Sequence, residues 1–95
     1  MKTSPILIFE IQHFSNAIRL LDKMSKLGDV QVVHVQKALG GRLITIVLSG
    51  ELSLLKACHE HALMMFENTK LLKVIDTIPS PGTQLIDFLN KGGQV

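Results

Sequence analysis

The chain has no tryptophan, no tyrosine and a single cysteine among its 95 residues. Each shortage closes off a class of function. One cysteine makes no intrachain disulfide, so covalent cross-linking does not hold the fold. The only aromatics are four phenylalanines, too few for the stacked platforms that grip single-stranded nucleic acid. A formal charge of +2 with scattered basic residues does not make the one-sided Lys/Arg surface that binds a duplex. No apolar run approaches the roughly 18 residues of a membrane span. Met1 to Pro5 lead into an apolar segment with no secretory leader pattern, and a soluble cytoplasmic protein is the expectation.

What the chain has in quantity is apolar side chains. They make up 46% of it, against 19% charged residues, a high share for a small domain with much surface to cover. Part of that apolar surface is expected to face other copies of the chain. The length suits one domain covering residues 1–95, ordered over about 5–90 with 91–95 frayed.

Ile6 to Ile11 form a short apolar run bounded by Pro5 and Gln12-His13, the pattern of a buried strand. From Phe14 the period changes. Phe14, Ala17, Ile18, Leu21, Met24 and Leu27 recur at helical spacing, with Ser15 or Asn16 the expected cap at the start and Gly28 at the end. Asn16, Arg19, Lys23 and Lys26 are expected on the exposed face. Val30 to Val35 and Leu43 to Leu48 read as two strands of a hairpin, since β-branched side chains suit a pleated surface. Gly40-Gly41 supplies the positive φ that reverses the chain between them. The second of these strands is apolar at nearly every position and so belongs in the middle of a sheet.

Leu52 to about Glu67 carry a second helical stripe of Leu54, Leu55, Cys58, Ala62, Met65 and Phe66, broken at Asn68-Thr69-Lys70. Leu71 to Ile78 read as a fourth strand, stopped by Pro79-Ser80-Pro81-Gly82. Thr83 opens a short terminal helix through Leu85, Ile86, Phe88 and Leu89. The element order predicts an α+β fold of the ferredoxin-like, split βαβ kind: a four-stranded antiparallel sheet with helices packed on one face and a short C-terminal helix.

Candidate chemistry is sparse. His59 and His61 stand two residues apart on a helix and so project about 200° from one another, a poor arrangement for sharing one metal ion. Cys58 lies on the buried stripe, where a free thiol behaves as a small hydrophobe. Leu39-Gly40-Gly41-Arg42 offers backbone N–H groups and a cation to an anion, but no phosphate-loop Lys-Ser/Thr follows it. Lys26 sits where a helix dipole favours a cation. His34 interrupts its strand's alternation and points to an edge or a subunit contact. No cofactor, metal or catalytic group is expected, and the chain reads as a non-enzyme.

Several positions together resemble one family, the single-domain, hexamer-forming shell proteins of bacterial microcompartments (BMC). They are Glu10; Ala17-Ile18; Asp22-Lys23-Met24-Ser25-Lys26; Gly40-Gly41-Arg42; Ser49-Gly50-Glu51; and Ile78-Pro79-Ser80-Pro81-Gly82-Thr83. The resemblance implies a cyclic homo-hexamer that tiles a protein shell in the bacterial cytoplasm with other shell proteins, around enclosed enzymes. It also implies a central pore for small polar metabolites, lined by Ala38, Leu39, Gly40, Gly41 and Arg42, and a hexamer edge carrying Lys26, Pro79, Ser80 and Pro81. Two departures stand out. Ser80 and Gly82 occupy positions where the family has arginine and histidine, and the loop is one residue longer than the common pattern. A second class stays open on the fold alone, a ferredoxin-like regulatory or metabolite-sensing domain of lower oligomeric order.

Overall fold

The computed structural model describes residues 5–78. Its elements follow the expected order: β1 (Ile6–Gln12), α1 (Phe14–Leu27), β2 (Gln31–Ala38), β3 (Leu43–Ser49), α2 (Leu52–Met65) and β4 (Leu72–Ile78), with one 3-10 turn at Leu39–Gly41 between β2 and β3. The strands lie in the order β2-β3-β1-β4, and each neighbouring pair is antiparallel. This is the split βαβ arrangement of an α+β domain. The expected terminal helix, and Pro79, Ser80 and Pro81, lie outside the described residues.

Alternation along the two central strands decides where the core sits. Leu7, Phe9 and Ile11 of β1 and Ile44, Ile46 and Leu48 of β3 point to one face, where they pack with Ala17, Leu20 and Met24 of α1 and Leu55, Cys58 and Ala62 of α2. Both helices therefore cover the same face. On the opposite face Ile6 and Val47 are also buried, with Ile8, Val33 and Ile78 against them, so β3 is apolar on both sides for the reason its sequence suggested. The strand β2 is an edge and is mostly exposed. Its pairing with β3 slips between Val32 and His34, and the extra residue, Val33, joins the small apolar cluster on the face away from the helices.

Two details of α1 correct the sequence reading. Its buried line is Ala17, Leu20 and Met24, whereas Ile18 is 49% and Phe14 45% exposed. Leu20 and Ile18 lie on adjacent lines of an almost uniformly apolar helix flank, and packing against β1 and β3 selects one of them. Neither Ser15 nor Asn16 caps the start: the N-cap position is His13, with no side-chain cap bond. Asn16 instead donates its amide to the Gln12 carbonyl at 3.1 Å, tying the helix back onto the end of β1.

Gly28 ends α1 with an extended backbone, φ 166°, not with the left-handed turn common at helix ends. The glycine leaves room for Leu54: a Cβ there would stand 2.8 Å from Leu54 Cδ1, so any larger residue has to displace that side chain. The absent side chain lets the end of α1 approach the first turn of α2.

The position of the buried line is testable by unfolding in urea at fixed protein concentration. Leu20→Ala, at a fully buried site, is expected to lose about 2–5 kcal/mol. Ile18→Ala is expected to lose less than about 1 kcal/mol; equal losses would place Ile18 in the core.

Candidate functional site

The β2–β3 loop is built from backbone conformations that side chains resist. Leu39, Gly40 and Gly41 all have positive φ, at 54°, 67° and 87°. Glycine adopts this region without cost, but a leucine there carries about 1 kcal/mol or more of strain. Leu39 is also 69% exposed, so burial within the chain does not offset that strain. A Cβ on Gly40 or Gly41 would meet nothing within 4 Å. Their requirement for glycine is thus conformational, and space above the loop is open.

Arg42 closes the turn. Its backbone N–H donates to the Leu39 carbonyl at 3.3 Å and its Nε to the same oxygen at 3.4 Å. Its carbonyl accepts from the His13 N–H at 2.9 Å, which ties the loop to the corner between β1 and α1. His13 has positive φ as well, 71°. Between corner and loop lies a recess of about 430 Å³ lined by Gln12, His13, Leu39, Arg42 and Leu43. Its walls thus include two of the three non-glycine residues with positive φ among the described residues.

Lys37 does not stand free beside the loop. It pairs with Ile44 across the hairpin and so lies on the helix-covered face, where its Nζ sits 4.2 Å from the Phe14 ring centroid. That distance is within the range of a cation–π contact. Sequence reasoning missed this pairing and the part played by Gln12-His13, because both depend on which strand neighbours β1. No local signal marked either one, since Phe14 read as part of the apolar stripe of α1.

Comparison with known proteins decides the family. The family model for the BMC domain matches residues 6–81. The chain belongs to the BMC domain family. Curated relatives include the bacterial microcompartment shell protein PduA of Citrobacter freundii, 27% identical over 92 residues, covering 97% of this chain and 98% of that protein. PduA of Salmonella typhimurium is likewise 27% identical, with 97% of each chain covered. Among solved structures, a microcompartments protein from Desulfitobacterium hafniense DCB superposes with a TM-score of 0.71 at 22% identity. The match covers 90% of this chain and 48% of that one, so this BMC domain spans about half of the solved molecule, and the likeness is one of fold.

The remaining singled-out residues fall outside the loop. Lys26 donates to Asp22 Oδ2 at 2.8 Å across one helical turn, with both side chains exposed, a pairing that contributes little in water. His34 is half-buried on β2, near Gln36. No group of three His, Cys, Asp or Glu side chains among the described residues is placed to hold a metal ion. Cys58 is fully buried against the sheet, and desolvation pushes its thiol pKa above the ordinary thiol value, the reverse of what activates a nucleophile.

The loop makes a paired prediction about backbone strain. Gly41→Ala is expected to destabilise the domain by about 1 kcal/mol. Leu39→Gly is expected to be neutral or stabilising by up to about 1 kcal/mol, because it relieves the same strain. Thermal unfolding of the two variants checks the sign, and destabilisation by Leu39→Gly would mean that the exposed leucine side chain has a partner in the folded state.

Proposed function

We propose that this BMC domain is a structural shell protein of a bacterial microcompartment, located in the bacterial cytoplasm as part of the shell. Identical copies close into a cyclic hexamer, and the six β2–β3 loops surround a central opening for small polar metabolites. Neighbouring hexamers meet edge to edge through the region of Lys26 and Pro79-Ser80-Pro81, beside other shell proteins and around enclosed enzymes. The observation that carries this reading is the BMC match over residues 6–81, reinforced by relatives named as microcompartment shell proteins that align along nearly their whole length.

The chemistry of the chain supports it. Phe14, Ile18, Val32, Val35, Leu63 and Met64 are between 42% and 69% exposed, apolar area that contacts between copies would remove from water. Exposed backbone at a glycine turn suits passage of polar solutes, because N–H and C=O groups replace solvating water without binding too tightly.

Charge at the opening follows from Arg42, whose repetition around an axis would build a field larger than one cation gives. Lys37 contributes less, since Phe14 holds it on the helix-covered face. In a flux assay comparing a small anion with a neutral analogue, Arg42→Ala is expected to lower the preference for the anion. Lys37→Ala is expected to change it little, and equal effects would contradict this division of roles.

Assembly is tested by sedimentation or native mass spectrometry. Six copies are expected; two or three would favour the regulatory-domain reading, and a monomer at high concentration would end the ring. Because Ser80 replaces the family's edge arginine, hexamers are expected to persist while extended sheets form poorly. Robust sheets in electron micrographs would show that Lys26 and the remaining edge residues suffice.

A further inference from the structure

The recess beside the β2–β3 loop shares Leu39 and Arg42 with the proposed opening but adds Gln12, His13 and Leu43. Its volume of about 430 Å³ falls within the range of small-molecule sites, roughly 300–1,000 Å³. Its lining is mixed in a particular way. Gln12, His13 and Arg42 present polar or cationic groups, Leu39 and Leu43 present apolar ones, and no carboxylate is among them.

Arg42 reaches only the Leu39 carbonyl through Nε. Its two terminal nitrogens make no hydrogen bond to protein among the described residues, nor does the His13 imidazole. Gln12 uses its amide nitrogen on the Lys70 carbonyl at 3.1 Å, which fixes that side chain and leaves its oxygen to accept. The recess is therefore lined by an arginine whose terminal donors are unspent among the described residues, by His13, and by two leucines. A guanidinium matches a carboxylate in geometry, two parallel N–H donors to two oxygens, and leucine walls match a short hydrocarbon tail. His13 and Leu39 are held at positive φ on either side, a cost of the kind that gathers at binding sites.

We propose that this recess binds a small organic monocarboxylate, with Arg42 holding the carboxylate, His13 beside it, and Leu39 and Leu43 covering the hydrocarbon end. The site is complete within one chain, so it does not depend on the ring.

Titration of the isotope-labelled protein with butyrate, followed by the backbone amide resonances, tests it. Saturable shifts centred on His13, Arg42 and Leu43 are expected, with a dissociation constant on the order of 1–10 mM for so small a ligand. Butyramide, the neutral analogue, is expected to bind about tenfold more weakly or less, because it lacks the charge that the guanidinium recognises. Arg42→Gln should weaken butyrate binding by a similar factor. Absence of saturable shifts, or equal shifts with butyrate and butyramide on the unmodified protein, would overturn the proposal without requiring any variant to fold. Because Arg42 also belongs to the proposed opening, shifts at His13 and Leu43 mark the recess, and shifts confined to Ala38–Arg42 would overturn this proposal; assembly state, measured by sedimentation, tests the ring separately.

Discussion

Seven cross-strand pairs, running from Ile6 opposite Ser49 to Gln12 opposite Leu43, hold the geometry of this domain. They place the hydrophobic rows of β1 and β3 on a common face, where both helices cover them. They also bring the β1–α1 corner level with the start of β3, so that the His13 N–H meets the Arg42 carbonyl. A slip of one residue would turn each row to the opposite face and would separate the corner from the loop. Core and candidate site thus depend on the same alignment, and the burial of Leu7, Phe9, Ile11, Ile44, Ile46 and Leu48 enforces it.

Much of the fold was legible in the chain because its periods are clean. Continuous apolar character marked β3 as central, the stripe of Leu55, Cys58 and Ala62 marked the buried face of α2, and glycines marked the turn. The face of α1 was not legible, since Phe14, Ala17, Ile18, Leu20 and Leu21 offer two adjacent apolar lines, and only contact with the sheet selects between them. The start of that helix was misread for a related reason. Ser15 and Asn16 have the chemistry of caps, but the N-cap position lies two residues before Ser15, at His13, where Gln12 is already fixed in the sheet.

The candidate site divides along the same boundary. Its glycines and Arg42 are contiguous in sequence and could be read there. Its other wall, Gln12-His13, is about 30 residues away and becomes a neighbour only through β1–β3 pairing. The strained φ of Leu39 was equally invisible, because leucine is not a residue whose presence announces a left-handed turn. Lys37 illustrates the converse. In sequence it stands two residues before Leu39, and Phe14, brought over by the sheet, draws its charge onto the helix-covered face.

The contact between Gly28 and Leu54 has a mechanical consequence. It joins the end of α1, just before β2, to the first turn of α2, while the His13 and Phe14 contacts hold the tip of the β2–β3 hairpin, so the hairpin resembles a beam held near both ends rather than a flap hinged at one. Bending such a beam requires breaking contacts at one support. A loop mounted this way resists bending, so a molecule that meets it encounters a surface of fixed shape and fixed charge.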